Sequence, residues 1–240
     1  MCGRVTVTRK AQSIAEFFSA LNLAEDHISY NVSPTQVLPV VRTDPERGQR
    51  TLEDLHWGLI PSWAKDPKIA NRLINARSET LSEKPSFRGA YKYRRCIVAV
   101  DGFYEWRKEG NRKQPYFFKS SIDQPLPFAG LWESWTSPDG ASLDSCTIIT
   151  TQANDLMKPI HHRMPAMVKQ EHQAAWLDPR LQDTEALREV TQSPPNEVLT
   201  CYPVSSFVNH SGNDGPDCVA PISRQDDSDS GTKPGQLELF

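Results

Sequence analysis

Nineteen prolines, scattered from Pro34 to Pro234, break this chain of 240 residues into short pieces. Each proline fixes φ, removes a backbone donor and turns the residue before it away from helix, so few long helices fit between them. The intervening stretches at 96–100, 116–119, 127–132, 145–150 and 198–204 carry the strand pattern, and Pro138-Asp139-Gly140 reads as a turn between two of them. Ile14, Phe17, Phe18 and Leu21 recur at helical spacing and predict an amphipathic helix over 11–23, lying on the core. Further helical pieces are expected at 170–177 and 184–190. The fold class that follows is α+β: one sheet-rich domain with mainly antiparallel strands and few helices.

Hydrophobic residues make up 38% of the chain, six Trp and nine Phe among them, which is enough for a single sizeable core. That core is expected to end near Ile222. Residues 223–235 are dominated by Ser, Asp and Gly, with single Lys and Pro residues among other polar ones and no large apolar side chain, a composition that predicts a disordered linker. The formal net charge is −3, and the last 18 residues hold Arg224 and Lys233 against Asp226, Asp227, Asp229 and Glu238, leaving the body near −1. A nucleic-acid partner therefore requires a local basic patch, not a global field. The five cysteines contain no Cys-x-x-Cys pair and fit a reducing cytosol better than a disulfide framework or a zinc ribbon. No signal peptide and no apolar run near the ~18 residues of a membrane span is visible, so a soluble cytoplasmic protein is expected.

Cys2 carries the most distinctive chemistry. Met1 precedes a small residue, so its removal is expected, and Cys2 would then present an α-amine and a thiol on adjacent carbons. The amine condenses with an aldehyde to an imine, and the thiol closes on the imine carbon to a five-membered thiazolidine. Met-Cys-Gly also opens the N-terminal-nucleophile cysteine amidotransferases, so the tripeptide alone leaves that alternative open. A non-covalent single-strand-binding adaptor is a third reading.

Four further segments stand out: Tyr30-Asn31-Val32-Ser33-Pro34-Thr35, Ile74-Asn75-Ala76-Arg77-Ser78-Glu79, Asp101-Gly102-Phe103-Tyr104-Glu105-Trp106 and Ile160-His161-His162-Arg163-Met164-Pro165. With Met1-Cys2-Gly3-Arg4, Trp57-Gly58 and Pro203-Val204-Ser205, their order and spacing resemble the SRAP family of SOS response-associated peptidase domain proteins. The resemblance runs to about Ile222 and implies an SRAP-type catalytic and DNA-binding domain over 1–222. It also implies covalent capture of the ring-opened abasic sugar in single-stranded DNA, with Cys2 as the nucleophile. Glu105 would be the acid/base that promotes ring opening, His161 the proton shuttle, and Asn75 the residue holding the Cys2 amine or the sugar hydroxyl.

Arg4, Asn31, Arg77 and Arg163 are expected to contact DNA, and Trp63 is expected to wedge against a base. Basic residues at 88–95 and 107–113 extend the strand groove or form solvated hairpin faces. Adjacent His161 and His162 are expected to point to opposite faces of an extended segment, which argues against a metal site. No cofactor is implied. The peptidase label fits exposure of Cys2, and a weak lyase side reaction is compatible with an imine.

The last five residues, Gln236-Leu237-Glu238-Leu239-Phe240, resemble the short peptides that bacterial repair partners insert into the sliding clamp. Leu237, Leu239 and Phe240 would be the apolar anchors and Gln236 the polar one. The expected partners are thus abasic single-stranded DNA and the clamp, for a monomer that touches no membrane.

Overall fold

The computed structural model describes residues 2–44, 47–183 and 187–222. In chain order the elements are β1 (Val5–Val7), α1 (Ala11–Phe17), β2 (Leu21–Asn22), β3 (Ser29–Val32), β4 (Val37–Thr43), β5 (Arg50–Trp57), β6 (Asn75–Arg77), α2 (Arg88–Tyr93), β7 (Arg95–Val100), β8 (Gly102–Glu109), β9 (Arg112–Ser120), β10 (Leu126–Thr136), β11 (Ser142–Gln152), β12 (Arg163–Pro165), α3 (Gln173–Leu177) and β13 (Leu199–Pro203). Short 3-10 turns join many of them, as the dispersed prolines require. The sheet-rich α+β reading holds.

The strands form two sheets. One has five strands in the order β13-β9-β8-β1-β3. The other runs β12-β11-β10-β7-β4-β5-β2, with β6 added to β11, and β11 also pairs with β5. That last pairing closes β11, β10, β7, β4 and β5 into a barrel-like ring. Five strands cannot alternate direction around a closed ring, so one junction must be parallel. It is β5 against β11, through Ser145 with His56 and Cys146 with Trp57, while the other four junctions are antiparallel. Closure removes the free edges that would otherwise invite association.

Apolar side chains pack on both faces of the ring strands, and Leu38, Leu52, Leu55, Trp57, Phe128 and Leu131 are fully buried. Each such side chain contributes roughly 1.5–3 kcal/mol of apolar burial. Trp57 also donates its indole N–H to the Ile74 carbonyl at 3.0 Å, which anchors the chain just before β6. Gly58 follows with φ +134°, and a Cβ there would lie 2.8 Å from the Ala70 carbonyl oxygen, so only glycine lets the turn at Pro67–Arg72 pack this closely.

Strands appear at each of the five predicted places, and Pro138-Asp139-Gly140 closes the β10–β11 hairpin with Gly140 at φ +89°. The predicted helix over 11–23 is shorter. Ser19 adopts φ +52°, which stops the helix, and Leu21 joins β2 beside β5. Ile14 and Phe18 are buried as expected, whereas Phe17 and Leu21 face outward. The 170–177 helix is present as a 3-10 turn leading into α3. Residues 184–186 of the predicted 184–190 helix lie outside the described residues, and 189–191 form a 3-10 turn. The linker at 223–235 and the peptide at 236–240 also lie outside them. No helix among the described residues is long and apolar enough to cross a membrane.

Candidate active site

The two sheets meet around Cys2. In the five-stranded sheet, β1 pairs with β8 through Val5 with Phe103 and Thr6 with Gly102, and the Tyr104 N–H donates to the Arg4 carbonyl at 3.0 Å. The far end of β1 is clasped by the Asp101 carboxylate, which accepts from the Thr8 N–H (2.6 Å), the Arg9 N–H (3.0 Å) and the Arg9 Nε (2.7 Å). This register brings residue 2 beside Glu105, both buried.

From the other sheet comes Asn75, at the start of β6. Its Nδ2 donates to the Cys2 carbonyl at 2.7 Å, joining residues 73 apart in sequence. Its Oδ1 is buried and has no partner among the described residues. A buried acceptor left unmade costs about 1–3 kcal/mol, so this oxygen is an open position for a donor.

The Cys2 thiol is fully buried, and burial pushes its pKa well above the ordinary cysteine value, with the nearby Glu105 charge adding to the rise and the Arg4 backbone N–H opposing it. Burial is the leading cause of the same upward shift at Cys96, Cys146, Cys201 and Cys218. Raised values keep all five thiols protonated at neutral pH, with thiolate forming only as the pH climbs toward them. Ellman's reagent at pH 7.5 is therefore expected to react with the folded chain at under about one-tenth of the rate it shows in denaturant, where all five titrate. Prompt modification of Cys2 in the folded protein would contradict this reading of the pocket.

His161 lies in the bend before β12. Strands β6 and β12 both pair with β11 near its C-terminal end: Thr150 lies opposite Arg77 on one side and Pro165 on the other. Strand β6 sets Asn75 beside Ile148, and His161 lies two residues before Arg163, which pairs with Gln152 on the other flank of β11. The His161 and His162 rings lie on the same side, centroids 4.5 Å apart and planes 31° apart, because a bend replaces the extended segment predicted there. His162 has its pKa lowered, chiefly by His161, with smaller contributions including Arg163 and Arg77. Among the described residues no group of three His, Cys, Asp or Glu side chains is arranged to hold a metal.

The predicted DNA contacts divide into two groups. Arg77 and Trp63 are exposed, Trp63 to 59% in the turn after Pro61. The others face inward. Asn31 is buried and donates to the carbonyls of Val208, His210 and Asn213, and it accepts from Arg4 at 2.6 Å. Arg4 also donates to the Val208 carbonyl. Arg163 is buried, with its guanidinium on Glu79 and on the Thr150 carbonyl. In this conformation the Asn31 amide and the Arg163 guanidinium are engaged with these internal partners.

Residues 88–95 likewise form α2 and the start of β7, not a hairpin face, and Arg95 is buried in it. The 107–113 segment is the β8–β9 hairpin, with Lys108, Arg112 and Lys113 exposed and Arg107 4.8 Å over the Tyr116 ring. Sequence reasoning missed Glu79. Its only signal was membership of the Ile74–Glu79 motif, since its partner lies 84 residues away.

Residues 1–211 match the profile of the family described as SOS response associated peptidase (SRAP). The abasic site processing protein YoqW of Bacillus subtilis is 42% identical over 223 residues, covering 91% of this chain and 99% of YoqW. The abasic site processing protein HMCES of Gallus gallus is 38% identical over 225 residues, covering 81% of this chain and 66% of that longer protein. A crystal structure of a protein from Bacteroides thetaiotaomicron superposes with a TM-score of 0.82 at 28% identity, covering 92% of this chain and all of that one. With the profile matched over most of its length and relatives 38–42% identical across most of this chain, the chain belongs to the SOS response associated peptidase family.

Proposed function

We propose that this protein processes abasic sites in single-stranded DNA by capturing the ring-opened sugar on Cys2 as a thiazolidine. The observation that carries the reading is the Asn75 amide, which holds the Cys2 carbonyl through Nδ2 and keeps a buried, unoccupied acceptor at Oδ1. Removal of Met1 turns the Cys2 nitrogen into an amine with hydrogens to donate, and an abasic sugar brings hydroxyls. Either donor satisfies Oδ1.

The chemistry balances within this set. The α-amine attacks the sugar aldehyde and one water leaves, forming an imine. The Cys2 sulfur then bonds to the imine carbon while the thiol proton passes to nitrogen. The sulfur and the proton of the thiol thus both end on the former C=N bond, one on carbon and the other on nitrogen. Glu105, buried beside Cys2, serves the proton transfer that opens the sugar ring, and His161 serves the transfers during imine formation and reversal. Arg77, Trp63 and the exposed cations of the β8–β9 hairpin supply the accessible strand contacts.

The test is an abasic single-stranded oligonucleotide incubated with the full chain and resolved under denaturing conditions. A heat-resistant band is expected, absent with intact DNA. Its mass should equal the chain without Met1 plus the oligonucleotide minus one water. An adduct that retains Met1, or is joined through a lysine, overturns the mechanism. The peptide Gln236-Leu237-Glu238-Leu239-Phe240 is assigned to the bacterial sliding clamp on its sequence. Deleting 236–240 should abolish capture by immobilised clamp and leave crosslinking intact; capture that survives the deletion removes the assignment.

A further inference from the structure

The geometry points to Glu79 as a positioning residue for His161, acting through the Arg163 backbone. This rests on His161 being the proton shuttle of the proposed reaction. His161 Nδ1 lies 3.0 Å from both the N and the carbonyl O of Arg163. A backbone N–H can only donate, so when it bonds to Nδ1 that nitrogen is an acceptor and the neutral ring carries its proton on Nε2. The competing tautomer would place a proton on Nδ1 and direct it to the Arg163 carbonyl. Which form prevails is set by the backbone at Arg163, through the 162–163 peptide that carries the N–H and the 163–164 peptide that carries the carbonyl.

Those two peptide units flank a residue whose side chain is firmly held. The Arg163 guanidinium makes a two-pronged contact with Glu79, Nη1 to Oε1 at 2.5 Å and Nη2 to Oε2 at 3.0 Å. Nη2 also donates to the Thr150 carbonyl at 2.5 Å. The Arg163 side chain is 9% exposed and the Glu79 side chain 46%, so the fork is anchored by the buried guanidinium and its two-pronged geometry while the carboxylate side faces solvent. The Glu79 carboxyl is held below the usual carboxylate range, first by its hydrogen bond from Arg163, and stays ionised as the fork requires.

Position in the fold adds the second half of the argument. Glu79 sits in the 3-10 turn Ser78–Thr80, immediately after β6, the strand that carries Asn75 and Arg77. Arg163 opens β12, directly after His161 and His162. Strands β6 and β12 flank β11 and do not pair with each other, so the Glu79–Arg163 fork is a direct tie between the Asn75 flank and the His161 flank. Through this tie the Glu79 carboxylate bears on the Arg163 backbone that holds the His161 ring.

The experiment uses the full chain labelled with 15N at its six histidines, read by two-bond 1H–15N correlation, with His161→Gln identifying the His161 signals. In the unaltered chain His161 is expected in one tautomer, Nδ1 bare and Nε2 protonated. Glu79→Ala should raise the other tautomer about tenfold, while Glu79→Gln, whose amide oxygen still accepts from the guanidinium, should restore most of the original signature. Arg163→Lys keeps the charge but loses the fork, and should behave like Glu79→Ala.

Single-turnover crosslinking by Glu79→Ala should slow about tenfold, part of the ~100-fold or more that acid–base catalysis supplies, with the half-saturating DNA concentration changed less than about twofold. An unaltered His161 tautomer in both Glu79→Ala and Arg163→Lys overturns the inference, as does a rate loss explained wholly by weaker DNA binding. Failure of the unaltered chain to crosslink removes the proposed function instead, and the tautomer measurement still decides the role of Glu79.

Discussion

Cys2→Ser is expected to lower the yield of heat-stable crosslink by about three orders of magnitude while leaving the fold intact. Serine keeps the α-amine and the main-chain carbonyl that accepts from Asn75 Nδ2 at 2.7 Å, so the imine step retains its positioning. What disappears is ring closure by sulfur, an intramolecular step whose effective molarity is on the order of 10⁵ M or more for well-oriented groups. A hydroxyl is a far weaker nucleophile toward an imine, so the adduct stays at the reversible imine stage. Borohydride separates the two steps: it should trap the serine variant as a reduced, stable adduct, whereas the parent chain needs no reductant. Equal heat-stable yields from Cys2→Ser and the parent, without borohydride, would eliminate the thiazolidine mechanism. Because the thiol is fully buried and nearly isosteric with a hydroxyl, thermal denaturation of the variant should stay close to that of the parent.

Arg95→Ala is expected to be the most damaging change to stability, at about 3–5 kcal/mol, a large part of the ~5–15 kcal/mol typical of a domain. Arg95 is 3% exposed and stands at the head of β7. Its guanidinium donates to the carbonyls of Trp176 (2.7 Å), Tyr91 (2.9 Å), Lys92 (2.8 Å), Leu181 (2.9 Å) and Asp178. Those oxygens include the unpaired ends of α2 and α3, so one side chain caps two helices onto the barrel. The same group lies 5.8 Å from the Trp176 ring, and the Trp176 indole donates to the Cys96 carbonyl at 2.8 Å. Truncation strands several buried carbonyls at once, each costly if left without a donor. The urea midpoint of Arg95→Ala measures it; a shift corresponding to less than about 1 kcal/mol would mean that water replaces the guanidinium without penalty.

The sequence was most informative where local chemistry and periodicity act alone. Proline spacing excluded long helices, and the β-branched runs located the strands at 96–100 and 145–150 because a pleated, buried surface selects those side chains. The α1 boundary was less accessible. Helical spacing continued through Leu21, yet the backbone turned at Ser19 and gave Leu21 to the parallel pairing with β5, a long-range gain that periodicity does not register.

Arginines were the hardest to read. Arg77, Arg95 and Arg163 look alike as letters, but one is exposed and two are buried against carbonyls or a carboxylate. Only the partners distinguish them, and those lie up to 86 residues away.

By itself, then, the order of residues determined the sheet-rich class, the short helices and the chemical capacity of an amino-terminal cysteine, since each depends on a residue's own geometry or its immediate neighbours. Closure of the five-strand ring, the hydrogen bond that joins Asn75 to Cys2, and the Glu79–Arg163 tie were decided by tertiary structure alone. The physical reason is that strand pairing is a contest among distant partners: a strand's pattern declares which face is apolar, but not which other strand will cover its edge.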